Sequence, residues 1–557
     1  MAEQLHFAHW PPGVPRHLTL PQTHLFYNAE VSATRFPDKP FIVFYDSVLT
    51  FAQFREEAET LAGWLQHEAG VKRGDRVLLD MQNSPQWVLA FYAILRADAV
   101  VVPVNPMNRC EELRHLAADS GATVAVVGQE LLDEVRPLLG RGLERVLVAT
   151  YGDHLTAPTD LRVPDFVSAP RIPLDDPRLT AWGGALARRL RPLPMQAGPD
   201  DPAVMPYTSG TTGNPKGCVH THRSVMSTLV GGTTWFSRTQ DAVYLAALPF
   251  FHVTGLSGSM NGPLYVGATV VVLPRWDRDA AAALMQRYRV TVWQAITAMV
   301  VDFVANPRLP AYDLSSLQGI RGGGAAMPEA VAQRLKELTG LDFVEGYGMS
   351  ETMAATHINP PQRPKPQCLG IPVFDVDARI IDPVTLQALP QGESGEIVVH
   401  GPQVMQGYWN NPGANAGAFV ELDGKRFLRT GDLARIDEDG YFFMTDRLKR
   451  MINASGYKVW PAEVEALMYH HPAVQEACVI AAPDAKRGET VKAVVVLRPG
   501  FEHLTEQDLI DWAHEHMAAY KSPRIVQFVS ALPKSGSGKV MWRQLQETEA
   551  GNSGARA

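Results

Sequence analysis

Between Thr50 and Gly70 the apolar residues Phe51, Phe54, Ala58, Leu61 and Leu65 recur with helical spacing and predict one buried helix face. Thr50 and Gln53 have the separation of a reciprocal N-terminal cap, and Gly70 supplies a stop. Arg76–Asp80 then reads as a strand, Pro85–Leu95 as a helix and Ala99–Val102 as a strand, an order that calls for parallel pairing. The alternation returns with strands at Ala268–Leu273 and Thr291–Ala295 and helices at Arg278–Tyr288 and near Ala298–Ala305. Ile320 leads into Gly322–Gly324, Pro328 opens a helix and Asp342–Val344 is a further strand. Residues 150–200, rich in Pro, Arg and Asp without clear period, read as a surface excursion.

From about Ile371 the pattern shortens to strands at Ala378–Ile381, Glu396–His400 and Tyr441–Met444. Beyond Arg447, helices from Pro461 and Thr505 alternate irregularly with strands at Ala477–Ala481 and Val491–Leu497. The expected fold class is α/β. Residues 1–448 form a large N-terminal domain of βαβ-type sheets with a short-strand β subdomain, and residues 449–557 a small α+β C-terminal domain. A chain of 557 residues with 46% hydrophobic and 20% charged content suits a globular enzyme of several units. The net charge of −8 leaves no basic footprint for nucleic acid. Cys110, Cys218, Cys368 and Cys478 form no close pair and read as reduced thiols. No run approaches ~18 apolar residues, and Met1 to Leu20 lacks an export segment, so a cytoplasmic location is expected.

The chemistry concentrates in a few stretches. Tyr207–Gly217 holds the hydroxyls of Thr208, Ser209, Thr211 and Thr212, the glycines Gly210, Gly213 and Gly217, and Lys216. Glycines let consecutive N–H groups converge on phosphate oxygens, while the hydroxyls and Lys216 add donors and charge. The spacing is not that of the Walker-type P-loop. Gly322–Gly324 allows close approach to a flat ligand or simply a tight turn. In Glu345–Glu351, Tyr347 offers a ring for stacking or packing, and Ser350 and Glu351 offer the hard oxygens that Mg2+ prefers. Asp432, in Thr430-Gly-Asp between short strands, suits ribose hydroxyls or turn chemistry. Lys539 sits among glycines near the C-terminus, and His252 follows two phenylalanines.

Taken in order, these stretches resemble the signature motifs of the adenylate-forming superfamily: acyl-CoA synthetases, firefly luciferase and peptide-synthetase adenylation domains. The resemblance runs over nearly the whole chain and is nearest to fatty-acyl-CoA ligases. It implies adenine contact by Gly346, Tyr347 and Ser350, Mg2+ ligation by Glu351 with Thr208, and ribose binding by Asp432 and Arg447. It also implies that Lys539 serves adenylation, that Lys449 is a hinge for a mobile C-terminal domain, and that Asn453, Ser455, Gly456 and Lys458 face CoA. Many relatives have Lys where this chain has Asn453. His252 would gate or line the acyl pocket and act weakly as a base. Gly322, Gly323, Gly324, Gly348 and Met353 would bound that pocket, where Gly255, Gly258 and Gly322–Gly324 leave volume; Trp293, Met299, Val300 and Met353 either line an apolar tunnel or pack a helix face. Acetate-specific relatives close that pocket with Trp where this chain has Gly348, so the small Gly348 is expected to admit longer acids and Gly348→Trp to shift preference towards acetate or propionate.

The implied reaction joins a carboxylic acid to AMP from ATP and passes the acyl group to CoA. A medium- or long-chain fatty acid is expected, with an aryl or cinnamate-like acid as the alternative. A stand-alone enzyme loading a carrier protein, luciferase-like oxidation and a non-catalytic nucleotide binder are the rivals. The oligomeric state, a homodimer included, stays open.

Overall fold

The computed structural model describes residues 5–208, 215–324, 326–447, 450, 452–454, 457–459, 461–484, 488–534 and 540–554. Two compact units emerge: one from residues 6–377 and 400–426, the other from residues 1–5, 378–399 and 427–557.

The larger unit is built on two nine-stranded sheets. In the first, Pro40–Phe44, Thr269–Val272, Val243–Ala246, Val292–Ala295, Gly319–Gly323 and Phe343–Met349 lie side by side and parallel. Val243–Ala246 sits between Thr269–Val272 and Val292–Ala295, so the winding reverses there. In the second, Arg76–Asp80 lies between Val100–Pro103 and Val124–Gly128, all parallel, and the winding reverses at Arg76–Asp80. Such reversals open crevices beyond the C-terminal ends of strands, where α/β sheets bind ligands.

Local chemistry explains the elements. The helix Phe51–His67 starts with the expected box: Thr50 Oγ1 accepts from the Gln53 N–H, and Gln53 Oε1 accepts from the Thr50 N–H. Helix Pro85–Arg96 is capped by Ser84, whose Oγ accepts from the Trp87 N–H. Every residue from Pro85 to Leu95 is buried, as a helix apolar on all sides must be. Residues 150–200 depart from expectation. Tyr151 and Trp182 are buried, and Leu179–Ala181 pairs parallel to Arg145–Ala149 as the edge strand of the second sheet. Its two-residue alternation is too short to register as a period.

In the other unit, Thr430-Gly-Asp432 lies within one long strand, Lys425–Ile436, rather than between short ones. Gly431 takes φ +70°, the left-handed conformation that glycine tolerates, so the strand kinks without ending. This strand pairs antiparallel with Gly395–His400 and Phe442–Arg447. A second sheet pairs Val474–Asp484 antiparallel and Ile525–Phe528 parallel with Gly488–Leu497 over a core of Val464, Val479, Val495 and Leu509. Among the described residues, no helix is long and apolar enough to cross a membrane.

Candidate active site

The strands that flank the glycine- and hydroxyl-rich stretch are antiparallel neighbours. Thr208 pairs with Lys216 and Tyr207 with Gly217, so the chain leaves and re-enters the sheet at one point. Ser209, Gly210, Thr211, Thr212 and Gly213 lie outside the described residues. The hairpin base is anchored by the Tyr207 hydroxyl, which donates to Asp119 Oδ2 at 2.6 Å, and by a bond of 3.2 Å between His115 Nε2 and the Pro215 carbonyl. Lys216 Nζ stands 4.3 Å from the ring centroid of Tyr408. Tyr408 belongs to the strand Gly407–Tyr408, in register with Cys218 one strand across.

The Tyr408 hydroxyl donates to Glu351 Oε1 at 2.7 Å. One ring thus joins the loop cation to the candidate metal carboxylate, which is buried. Burial and the neighbouring Glu351 push the Tyr408 pKa upward, so the phenol stays a donor. Ser350 and Glu351 are held from behind. His220 Nε2 bonds the Ser350 carbonyl at 2.7 Å, and the Met405 N–H donates to the Glu351 carbonyl at 2.9 Å. A carbonyl only accepts, so His220 carries its proton on Nε2, and burial lowers its pKa to about 4. Sequence reasoning missed Tyr408 and His220. The signal for His220 was its period-2 alternation with Lys216 and Cys218 on one strand, whereas nothing local marks Tyr408 one strand across.

The candidate acyl-side residues gather at the C-terminal ends of the first sheet. Gly322 pairs with Ala295 on one side and Glu345 on the other, and Gly323 pairs with Gly346. A Cβ on Gly322 would lie 1.7 Å from the Ala295 carbonyl oxygen, and one on Gly323 2.2 Å from that of Gly346. Gly348 is the same case, 1.7 Å from the Ala354 carbonyl oxygen. Their missing side chains do not leave pocket volume; neighbouring backbone already fills it. Gly255 is filled likewise, by the Pro249 carbonyl, whereas Gly258 faces the side-chain amide of Gln294. The expectation that Gly348 sets chain length by being small is therefore corrected. Gly324, at φ +90°, ends the strand in a turn.

Trp293 stacks on Trp276 with centroids 5.6 Å apart and, with Val300, is fully buried in the core; Met299 joins the same cluster. They pack the helix Thr297–Val304 on the sheet, which replaces the tunnel reading. Met353 is buried and left-handed (φ +49°), and Ala354 follows at φ +97°. Two consecutive non-glycine residues with positive φ mark strain of the kind that clusters at functional sites. The Met353 carbonyl accepts from the Ser257 hydroxyl at 3.2 Å, drawing in the π-helical turn Leu256–Asn261 that follows His252. His252 is half-buried and caps its own turn, Nδ1 accepting from the Thr254 N–H. Tyr347 is buried, its ring 5.7 Å from that of His357. Glu345 beside it is pushed up to about 7 by burial, which outweighs the N–H donated by Gln367.

In the other unit, buried Asp432 pairs in register with Arg447, and its N–H donates to Thr430 Oγ1 at 3.1 Å. Glu396 steadies the kink: Oε1 accepts from the Gly431 N–H, and Oε2 pairs with Arg429 at 2.6 Å. The backbone of Asn453 pairs with that of Lys458 across a short hairpin. Lys449, Ser455, Gly456 and Lys539 lie outside the described residues.

Residues 29–409 match the AMP-binding enzyme family, and residues 463–539 match the AMP-binding enzyme C-terminal domain. The chain belongs to this family. It is 35% identical to a long-chain-fatty-acid–CoA ligase of Bacillus subtilis (strain 168), covering 98% of each chain. It is 35% identical to a feruloyl-CoA synthase of an Amycolatopsis species, covering 89% of this chain and 93% of that one. Its fold is similar to that of the anthranilate CoA ligase AuaEII in complex with anthranoyl-AMP, with a TM-score of 0.82, 27% identity and coverage of 96% and 98%. The family assignment agrees with the α/β sheets of the larger unit and the smaller α+β C-terminal portion.

Proposed function

We propose that the chain is an ATP-dependent, AMP-forming acid–CoA ligase. The acid carboxylate attacks the α-phosphorus of ATP and pyrophosphate leaves; the CoA thiol then attacks the acyl carbon and AMP leaves. Carboxylates expel oxide poorly, and the adenylate makes the acyl carbon reactive. The observation that carries this reading is the Lys216–Tyr408–Glu351 arrangement at the base of the glycine-rich hairpin. A cation for phosphate and a buried hard carboxylate share one ring there.

Among the described residues, no cluster of three or more His, Cys, Asp or Glu side chains could hold a metal. A single carboxylate with a hydroxyl nevertheless fits Mg2+, which keeps waters and takes its remaining oxygens from phosphates. Glu351 and Thr208 would hold it, and when bound it would neutralise phosphate charge. Lys216 and the hairpin N–H groups orient the phosphates, Asp432 and Arg447 take the ribose, and Gly346, Tyr347 and Ser350 face adenine. Lys539 stabilises charge during adenylation. Asn453, Ser455, Gly456 and Lys458 serve the thiol step after rotation about Lys449, between a domain of residues 1–448 and one of residues 449–557. CoA is the acceptor, and the cytoplasm is the site of action.

A medium- or long-chain fatty acid is the favoured substrate, in line with the name of the Bacillus subtilis relative. An aryl acid is the second reading, supported by relatives named for ferulate and anthranilate. Pyrophosphate release across acids from acetate to stearate, benzoates and cinnamates, with and without CoA, tests both. Acid-dependent release with CoA-dependent AMP release is expected, and Lys539→Ala should stop the first while sparing thioester formation from preformed adenylate. Absence of acid-dependent pyrophosphate release refutes the reading.

A further inference from the structure

The loops at the two winding reversals are tied together by one side chain. Asn83 follows Arg76–Asp80, and the turn Leu248–Gly255 follows Val243–Ala246. Asn83 Nδ2 donates to the Leu248 carbonyl at 2.8 Å, and Asn83 Oδ1 accepts from the Phe250 N–H at 2.8 Å. Carbonyl and N–H fix which end of the amide faces which, so the orientation is unambiguous. The intervening Pro249 has no N–H to offer, and its carbonyl accepts from the His252 N–H at 3.2 Å. Gly255 closes the turn, since any Cβ there would lie 2.2 Å from the Pro249 oxygen.

The clamp itself is rigid. Asn83 is 4% exposed. Its loop is held by the Gln82 N–H on the Tyr151 hydroxyl at 2.9 Å, by Gln86 Nε2 on the Thr150 carbonyl at 2.9 Å, and by the Ser84 cap. One helical turn further on, the Trp87 ring packs against Phe250 with centroids 5.4 Å apart. Phe250 is thus gripped at its amide by Asn83 and at its ring by Trp87, two residues before His252.

We propose that Asn83 is the positioning residue for the acid-binding end of the site: its carboxamide sets the turn that presents His252 and the π-helical segment leading to Met353. This rests on the acid–CoA ligase reading above. Among the described residues Asn83 bonds to Leu248 and Phe250 and not to Thr208, Lys216 or Glu351, so its loss should separate acid from ATP. Asn83→Asp is nearly isosteric but turns a carboxylate oxygen on the Leu248 carbonyl. When protonated, that carboxyl again donates to Leu248 and accepts from Phe250.

The test is steady-state pyrophosphate release by the full chain and the Asn83→Asp and Asn83→Ser variants at about pH 6 and 8. At pH 8 both variants should raise the KM for the acid about tenfold or more, with KM for ATP within about twofold, the scale of losing a buried hydrogen bond pair. For Asn83→Asp the ratio to wild type should fall back towards one at pH 6, whereas Asn83→Ser should show no recovery. Taking ratios to wild type removes the titration of Asp80 and Glu130, which all three proteins share. Equal rises in both KM values, or an unchanged acid KM, overturn the proposal. If Asn83→Asp does not fold, Asn83→Ser alone decides it through the KM split. Absence of acid-dependent release by wild type would instead overturn the ligase reading, and this inference with it.

Discussion

The two sides of the candidate site are built from opposite kinds of residue. On the hairpin side, polar side chains meet one another: Lys216 lies over Tyr408, whose hydroxyl reaches Glu351. On the sheet side, Gly322, Gly323 and Gly348 are small because another strand's backbone occupies the place of a side chain. Substitution should therefore change chemistry on the first side and folding on the second. Glycines near a pocket are not evidence of pocket volume unless their Cβ directions point into it.

Glu351→Gln tests the first half most severely. It removes the charge that would face Mg2+ and developing phosphate charge, so adenylation should fall ~100- to 1,000-fold, the scale of one preorganised electrostatic group. The acid KM and the thermal midpoint should barely move. A matching loss of stability would erase the distinction between the two sides.

Gly322→Ala and Gly348→Ala test the other half. Each methyl meets a carbonyl oxygen at 1.7 Å, and backbone cannot yield as a flexible side chain can. Each should cost about 3 kcal/mol or more, read as a lowered thermal midpoint or loss of folded protein. Gly348→Trp should behave likewise rather than shift preference towards acetate. A stable Gly348→Trp variant with a shortened chain-length profile would restore the pocket-volume reading.

These sites also show how far the sequence carried. The parallel winding was legible because Arg76–Asp80 and Pro85–Leu95 alternate strand and helix patterns strongly. The strand Leu179–Ala181 was not, because three residues cannot display a period. Asp432 was found through its motif, but its place inside a long kinked strand was hidden by Gly431, which reads as a break. Tyr408 and Asn83 were invisible for a different reason. Each acts on a residue far along the chain, and nothing local marks such a partner.

Glu345 sharpens the contrast through pH. Burial raises its pKa from 4.5 to about 7. The folded state thus holds the proton more tightly, so this contribution to stability is full below pH 4.5 and is lost as pH rises through 7. The slope is at most about 1.4 kcal/mol per pH unit. Glu345→Gln should flatten the decline of thermal midpoint between about pH 5 and 8 and gain on wild type at the upper end. A variant curve parallel to wild type would mean that Glu345 is ionised throughout.

Tyr408→Phe should have the smallest effect and divides the hairpin side most finely. The ring under Lys216 remains, so the cation keeps its 4.3 Å seat, while Glu351 Oε1 loses the hydroxyl donor at 2.7 Å. Loss of one hydrogen bond to a charged group is worth about 1–3 kcal/mol, which predicts a fall of roughly five- to a hundredfold in kcat/KM for ATP. Tyr408→Leu removes ring and hydroxyl together and should fall further, because Lys216 also loses its platform. Equal effects of Phe and Leu would assign the whole role to the hydroxyl and make Lys216 independent of Tyr408. A Phe variant as active as wild type, beside an impaired Leu variant, would assign it to the ring. In that case Glu351 is positioned by the Met405 N–H and His220–Ser350 contacts on its backbone, not by the phenol.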